Sequence, residues 1–319
     1  MRALVLGGTG WLGRAIVRDL VAGGVEVTCL ARGESGAVPE GARFVRTDRR
    51  AADAYERVRG EWDEVIELSS EPELVEPALA ELADTAAHWT LVSTVSVYAR
   101  NDEPGADESA ALAEPTDLTE YADAKVAAER SSTARLGSRL LIARPGLIVG
   151  PGDPSDRFGY WPARLRRSGP ALIPTVAGRF VQVIDVTDLA SWLSQTAKHE
   201  RVGVVNAVGE VVPMGEFFAR VAAVTRFEDE LEEVADEVLL ANDVRYWAGP
   251  RSLPLWLPLP DAAFAQRSAR AFQRMGGRAR PLESIVADVL EDELSRGLDR
   301  PRRSGLTPAE ERSVMRHVR

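Results

Sequence analysis

The chain has 319 residues and a formal net charge of −10, with 39 lysines and arginines against 49 aspartates and glutamates. This acidic balance disfavours polyanionic partners, so nucleic-acid binding is not expected. The 45% hydrophobic content is that of an ordinary globular protein with a large core. We see no apolar run long enough to span a bilayer and no secretory signal, which favours the cytoplasm. The single cysteine, Cys29, excludes an internal disulfide, and the widely spaced histidines give no reason to expect a metal.

The chain opens with a short apolar run, residues 2–6, that breaks into a glycine turn over residues 7–13. The glycines fit G-x-x-G-x-x-G from Gly7 and G-x-G-x-x-G from Gly8, so spacing alone leaves the subfamily open. A second apolar run, residues 25–31, follows the intervening amphipathic stretch. A strand, glycine turn and helix in this order predict a dinucleotide site, because the helix N-terminus favours a pyrophosphate. The alternative is a tight turn without a ligand.

Apolar and amphipathic stretches alternate through the first half of the chain, which predicts an α/β protein with a Rossmann-type, doubly wound parallel sheet. Strands are predicted near 2–7, 25–31, 43–46, 64–68, 89–95 and 139–143, and helices near 11–22, 52–59, 73–87 and 119–136. We therefore predict a dinucleotide-binding domain over residues 1–150.

Residues 151–319 have an irregular pattern rich in Pro, Gly and Trp, and are predicted to be mainly a smaller substrate-binding lobe. Segments near 181–206 are expected to return to the sheet. Further helices are predicted near 187–198, 214–225, 261–275 and 281–295. The acidic stretch 228–237 is interpreted as a solvated helix face or loop, and 250–260 as an ordered loop.

Two features of the first half carry chemistry. Tyr121 and Lys125 stand four residues apart on a predicted helix and so share a face, where an ammonium favours the phenolate form of a proton donor. The predicted strand of residues 91–98 ends in several hydroxyls, at the edge of the sheet where ligands bind. One of these hydroxyls can hold a substrate oxygen within reach of the tyrosine. An ordinary exposed Tyr–Lys pair is the alternative.

The combination resembles the extended short-chain dehydrogenase/reductase family, including its epimerase/dehydratase relatives. The matching segments are the turn at 7–13, Asp48, residues 93–98, the Tyr121/Lys125 pair and residues 144–151. By this resemblance Tyr121 is the general acid/base, Lys125 binds the nicotinamide ribose and lowers the tyrosine pKa, and Thr94 polarises the substrate oxygen. Asp48 would bind the adenine amino group. The implied cofactor-binding set is Gly7, Gly10, Trp11, Leu12, Gly13, Arg32, Asp48, Lys125 and Pro145.

Departures from the family pattern reduce the number of possible cofactors and reactions. NAD-specific members usually have an acidic residue at the end of the second strand, whereas this chain has Arg32, which can clamp a 2′-phosphate. NADP is therefore favoured over NAD, with Arg14 as a candidate helper and an unliganded surface arginine as the alternative. Val95 and Ser96 replace the Asp-Glu pair of sugar-nucleotide 4,6-dehydratases, which disfavours dehydration. Leu147 replaces an asparagine that contacts the substrate diphosphate in sugar-nucleotide enzymes.

The resemblance leads to three functional hypotheses. The first is an NAD(P)-dependent oxidoreductase that reduces a ketone or oxidises a secondary alcohol of a small polar or sugar-like substrate. The second is an NAD(P)-retaining epimerase, and the third a cofactor-sensing or RNA-binding scaffold. Candidate substrate contacts are Ser96 and, on a loop with mixed charge and aromatic character, Arg157 and Tyr160. Relatives often dimerise through the helices near 73–87 and 119–136, so a homodimer is also an expectation.

Overall fold

The computed structural model describes residues 1–318, which form two compact units. The first unit comprises residues 1–148, 186–209 and 267–279, and the second comprises residues 149–185, 210–266 and the chain from 280 onwards. The predicted boundary at residue 150 lies close to the end of the first segment. The return of two later segments to the first unit makes the division discontinuous in sequence.

The first unit is built on a seven-stranded sheet in which every pair of neighbouring strands is parallel. Its elements are β1 (Arg2–Leu6), α1 (Trp11–Ala22), β2 (Glu26–Ala31), β3 (Arg43–Arg46), β4 (Trp62–Glu67), α2 (Pro72–Leu82), β5 (Ala86–Val92), α3 (Tyr121–Leu136), β6 (Leu140–Pro145), α5 (Val186–Lys198), β10 (Gly203–Ala207) and α8 (Arg270–Arg274). The strand order is β10-β6-β5-β4-β1-β2-β3. The order reverses between β1 and β4, and in such sheets the crevice for ligands opens beyond the carboxyl ends of these strands.

The sheet is buried on both faces, which explains why its strands have nearly continuous apolar sequences. In β1, Leu4 and Leu6 belong to one hydrophobic cluster, and Ala3 and Val5, on the opposite face, are equally inaccessible. Burial of Trp89 in the same cluster fixes β5 beside β4. The core therefore holds the carboxyl ends of β1, β4 and β5 in a fixed relation.

The predicted strands of this unit and its helices near 11–22 and 119–136 are present within a few residues of their predicted bounds, whereas the helix predicted near 73–87 ends at Leu82 and β5 begins at Ala86. The prediction of a helix at 52–59 is wrong, because only a short 3₁₀ turn forms at Glu56–Val58. Tyr55 is buried there and its hydroxyl accepts a hydrogen bond from Arg49 Nε at 3.0 Å. This tertiary contact, rather than local helix propensity, sets the backbone in this segment.

The second unit contains small sheets and helices. Its elements are α4 (Tyr160–Leu165), β8 (Ala171–Pro174), β9 (Phe180–Asp185), β11 (Val211–Pro213), α6 (Met214–Thr225), β12 (Leu231–Val234), α7 (Asp236–Ala241), β13 (Arg245–Trp247), β14 (Ser252–Pro254), α9 (Leu282–Arg296) and α10 (Pro308–Val318), while β7 (Leu147–Val149) lies where the first unit passes into the second. Its core includes edge-to-face ring pairs such as Trp161 with Phe218, whose ring centroids are 4.7 Å apart. These pairs add specific packing geometry to the burial of apolar area.

Three predictions for the later segments need correction. Of the two strands predicted to return to the sheet, only β10 does so, whereas β9 pairs antiparallel with β11 in the second unit. Apolar periodicity marks both as strands but does not choose their partner. The helix predicted at 261–275 is interrupted, with a 3₁₀ segment at Leu259–Ala265 and the short helix α8. The acidic stretch 228–237 contains β12, and its Asp229 and Glu233 accept hydrogen bonds from main-chain N–H groups.

No helix among residues 1–318 combines the length and the apolar character needed to cross a membrane.

Candidate cofactor and active site

The glycine turn lies between β1 and α1, at the carboxyl edge of the sheet. Gly7 has a φ of +99°, a backbone conformation that side chains rarely allow. A Cβ atom at Gly13 would lie 2.4 Å from the carbonyl oxygen of Gly7, and one at Gly8 would lie 2.7 Å from the Sγ atom of Cys29. Gly8 and Gly13 are therefore required by the packing of the turn itself, and Cys29 is the buried thiol that the sequence predicts.

Gly10 differs from the other glycines of the turn. Its φ of −67° suits any residue, and a Cβ atom there would meet only the Gly7 carbonyl oxygen, at an ordinary 3.5 Å. The fold alone thus gives no reason for glycine at this position, whereas close approach of a ligand does. No side chain caps the N-terminus of α1, and its first turn has no acidic residue. The turn therefore fits a dinucleotide whose diphosphate lies against Gly10 and the helix N-terminus.

A cavity of about 220 Å³ opens beside this turn within the first unit. Four predicted cofactor residues line it: Gly7, Gly10, Arg32 and Asp48. Its wall also includes residues that no sequence motif marks: Arg49, Arg50, Ser69 and Glu71. Asp48 is exposed just after β3, and its Oδ1 atom accepts a hydrogen bond from the N–H of Arg50 at 3.0 Å.

The two arginines proposed to recognise a 2′-phosphate differ in their surroundings. Arg32 is 54% exposed, and its Nε atom lies 3.4 Å from a carboxylate oxygen of the equally open Glu34. Such an exposed pair is weak and leaves the guanidinium available to a ligand. Arg14 instead donates from Nη1 to the carbonyl oxygens of Thr9 (2.6 Å) and Ser35 (2.7 Å). The structure thus gives Arg14 a role in bracing the loops around the cavity.

Lys125 lies one turn into α3, and its side chain is only 3% exposed. Its ammonium donates to the carbonyl oxygens of Val92 (2.6 Å), Ser69 (2.9 Å) and Leu68 (3.3 Å), which follow or end β5 and β4. These contacts engage all three donors and fix the nitrogen at the carboxyl edge of the sheet. Lys125 therefore connects α3 to the carboxyl ends of β4 and β5, the edge of the sheet at which the active site is predicted.

The pKa of Lys125 is lowered to about 8, because burial disfavours its charged form. The carboxylates of Glu67 and Glu129 act in the opposite direction and favour the ammonium. Glu67 is itself buried at the end of β4 and paired with Arg49. The pKa of Lys125 thus lies well below its ordinary value of 10.5.

We expect this pKa to be visible by nuclear magnetic resonance. Lys125 and Lys198 are the chain's two lysines, so selective labelling at the lysine ε-carbon yields two signals. The Lys125 signal should titrate with a midpoint near pH 8, the ammonium being present below that pH and the neutral amine above it. The signal of exposed Lys198 is the internal reference, and K125M assigns the pair. A Lys125 midpoint as high as the ordinary value of 10.5 would contradict the desolvated environment.

The hydroxyls after β5 form a small group in the first unit. Thr94 is largely buried, and its Oγ1 atom accepts from the N–H of Ser96 and bonds to the Ser96 hydroxyl, both at 3.1 Å. This contact begins the short 3₁₀ turn Val95–Val97. Ser96 is half-buried, so the more accessible end of the pair is the serine hydroxyl. Either hydroxyl of this pair can present a donor to a substrate oxygen.

Tyr121 is the first residue of α3 and is 55% exposed. Its position precedes Lys125 by four residues, as predicted, so the phenol and the ammonium belong to one helix face. The two residues differ sharply in accessibility: Tyr121 is exposed, whereas Lys125 is enclosed. An exposed proton donor beside a fixed, buried cation suits transfer of a proton to a bound substrate.

A buried polar network supports α3 against the sheet. Glu129 forms a bidentate pair with Arg144 of β6, at 2.6 and 2.9 Å, and accepts a hydrogen bond from the Ser93 hydroxyl at 2.5 Å. Arg144 also donates to the Tyr98 hydroxyl at 3.0 Å, which in turn donates to Asn206 of β10 at 2.6 Å. The network connects the helix of Tyr121 and Lys125 to three strands. In the sequence, the feature that could have pointed to this network is Glu129, an acidic residue four positions after Lys125 on the same helix face.

The remaining predicted contacts occupy varied positions. Trp11 and Leu12 are half-buried in the first turn of α1, and Pro145 is buried at the end of β6, paired in register with Ala207. In the second unit, the guanidinium of Arg157 lies over the ring of Trp247 at 5.4 Å. Tyr160 is only 3% exposed. This burial favours a core role for Tyr160 over the predicted substrate contact.

These features define a class: a Rossmann-fold enzyme with a dinucleotide turn and a Tyr-x-x-x-Lys pair on the helix before β6. The comparisons then identify the family. The model of the NAD dependent epimerase/dehydratase family matches residues 3–209, and the chain belongs to this family. It is an NAD(P)-dependent enzyme of the extended short-chain dehydrogenase/reductase type.

One relative is 28% identical over 305 residues, 89% of this chain and 83% of its own length: the 2′-dehydrokanamycin reductase of Streptomyces kanamyceticus. Solved structures show the same fold. The UDP-glucose 4-epimerase of Thermus thermophilus, in complex with NAD, is 20% identical with a TM-score of 0.64, covering 92% of this chain and 98% of its own. An NAD-dependent NDP-hexosamine 5,6-dehydratase of tunicamycin biosynthesis, TunA, is 21% identical with a TM-score of 0.69, covering 94% and 99%.

Proposed function

We propose that this protein is an NADP-preferring reductase that interconverts a ketone and a secondary alcohol on a small, polar, sugar-like substrate. The observation that carries the proposal is the Tyr121/Lys125 pair, with an accessible phenol and an ammonium held by the ends of β4 and β5. The reductase that is 28% identical supports the direction and the substrate class. The absence of the Asp-Glu pair at Val95 and Ser96 argues against dehydration.

The proposed roles follow from these positions. When bound, the nicotinamide cofactor would supply the hydride for the carbonyl carbon. Tyr121 donates its phenolic proton to the carbonyl oxygen as that oxygen gains charge, and Lys125 stabilises the resulting phenolate. The hydroxyl pair of Thr94 and Ser96 holds the oxygen during this step. Lys125 would bind the ribose of the cofactor through one of its three donors, and its longest present contact, 3.3 Å to Leu68, is the one expected to be replaced.

The test is a turnover assay with keto-sugars, including 2′-dehydrokanamycin, in which consumption of NADPH is compared with formation of the alcohol. One cofactor oxidised for each alcohol formed supports the reductase. The runner-up, an epimerase that retains NAD(P), would convert one sugar epimer into another with no net cofactor change and would carry cofactor through purification. Loss of cofactor binding with salt-sensitive RNA binding would instead support a scaffold.

Cofactor preference depends on Arg32 in this proposal. We expect R32A to weaken NADPH binding about 10- to 100-fold, because charged hydrogen bonds to the 2′-phosphate contribute about 1.5–3 kcal/mol, and to change NADH binding little. R14A should weaken both cofactors alike, because Arg14 braces Thr9 and Ser35. Exposed Arg18 on α1 gives the control variant R18A. Calorimetric titration measures all four proteins, and an equal loss of both cofactors in R32A would contradict the preference.

We further infer that the protein acts in the cytoplasm and forms a homodimer through α2 and α3. Ala124 and Ala128 of α3 are buried within the first unit, whereas Ala122 and Ala127 remain partly exposed and permit close approach of a second helix. We also propose that the second unit binds the substrate, because it contains most of the predicted substrate-binding lobe, residues 151–319.

A further inference from the structure

The second unit contains a cavity that the proposed reaction does not use. It has a volume of about 460 Å³ and lies between the end of α4, the turn that follows it, and one face of α10. It shares no residue with the cavity beside the glycine turn. The side chains on which its chemistry depends are Arg164, Arg167, Glu311, Arg312, Met315 and Arg316.

The charge of this wall is opposite to that of the chain. Four guanidinium groups and one carboxylate line it in a protein of net charge −10, and Arg167 is paired with Asp299, outside the cavity lining, at 3.0 Å. Glu311 is already engaged: it accepts from Arg164 Nε at 2.6 and 2.8 Å and from the N–H of Leu172 at 3.0 Å. Within residues 1–318, Arg312 and Arg316 form no ion pair. Their positive charges are therefore not neutralised by a carboxylate within these residues.

Arg164 provides an independent indication of a ligand. Its side chain is only 7% exposed, and its Nη1 atom has no hydrogen-bond partner in the described part of the chain. Its other donors are used, with Nη2 donating to the carbonyl oxygen of Pro170 at 2.5 Å. An unsatisfied buried donor costs about 1–3 kcal/mol, and more when it is charged. Because this guanidinium lines the cavity, an anion there would offset part of that cost through its charge, without contact to the enclosed Nη1 atom.

We propose that this cavity binds a small phosphate or diphosphate ester. A single carboxylate would neutralise one of the two unpaired guanidinium charges, whereas the charge of a phosphate group of about −2 matches both, and arginine binds phosphate oxygens in bidentate fashion. Met315 and Pro170 supply apolar surface for the organic part of the ligand. The volume lies in the range of sites for small organic ligands, about 300–1,000 Å³. Arg312 and Arg316 lie one turn apart on α10 and are exposed, so in this proposal they contact the phosphate from the solvent side of the cavity.

The experiment is calorimetric titration of the full chain with inorganic pyrophosphate and with ADP, after saturation with NADPH so that the dinucleotide turn is occupied. R312Q/R316Q should weaken binding of both probes at least tenfold. The control R18Q/R245Q removes two exposed arginines outside the cavity and should bind as the parent does. All four substituted side chains are exposed, so folding should be retained, and circular dichroism checks it.

Three results would overturn the proposal: no pyrophosphate or ADP binding at millimolar concentration, equal losses in the two double variants, or unchanged binding in R312Q/R316Q. Equal losses would mean that only the overall charge matters. The NADPH titration that precedes each experiment reports separately on the proposed reductase. If NADPH fails to bind, the probes are titrated directly, and a loss confined to R312Q/R316Q still supports the cavity.

Discussion

Replacing Tyr121 by phenylalanine is expected to lower kcat by about 10²- to 10⁴-fold while changing the Kd of NADPH less than about threefold. The range is that of losing a positioned general acid. The substitution removes one oxygen from a side chain that is 55% exposed at the start of α3, so neither the core nor the turn at Gly7 should move. Stopped-flow single turnover at saturating NADPH separates the chemical step from binding.

The matched control is Y246F. Tyr246 belongs to the second unit, and its hydroxyl donates to Asp236 at 3.1 Å, so the same atom is removed from a tyrosine outside the proposed chemistry. Its turnover should stay within about threefold of the parent. If the kcat of Y121F equals that of the parent protein in an assay in which the parent is active, Tyr121 is not the general acid. If Y121F loses NADPH binding as well, the phenol contributes to the cofactor site instead.

The fold was predictable where one physical rule dominates. Parallel strands buried on both faces must be apolar, so β1 and its neighbours in the sheet were visible as short runs between helical stretches. The glycine turn was equally readable, although the sequence left two spacings open. In the structure, a Cβ atom at Gly8 or Gly13 would clash with Cys29 or with the carbonyl oxygen of Gly7, whereas a Cβ atom at Gly10 would make only an ordinary contact.

What escaped prediction depends on partners distant in the chain. The carbonyl oxygens of Leu68 and Ser69 hold the ammonium of Lys125, and any residue type has a carbonyl oxygen, so no sequence pattern marks them. Arg49 and Glu67 are 18 residues apart and meet only because β4 ends beside the loop after β3. Tyr160 was chosen for its aromatic character, but its neighbours in the second unit enclose it.

The pair formed by Arg144 and Glu129 gives the second large effect. Both side chains are nearly inaccessible, with exposed fractions of 4% and 3%, so R144L would leave a buried carboxylate without its cation. We expect the free energy of unfolding to fall by about 3–5 kcal/mol, because such a charge keeps its desolvation cost and loses the attraction that offset it. Denaturant unfolding monitored by circular dichroism measures the change.

An exposed ion pair between α3 and the segment that precedes it provides the comparison. Arg130 contacts both carboxylate oxygens of Glu114, at 2.9 and 3.0 Å, yet these side chains are 49% and 77% exposed. R130L should therefore cost less than about 1 kcal/mol, although the contact geometry resembles that of the buried pair. The double variant E129M/R144L removes both buried charges and should recover much of the loss in R144L. Equal effects of R144L and R130L would mean that burial does not govern this network, and that α3, with Tyr121 and Lys125, is held to the sheet by apolar packing alone.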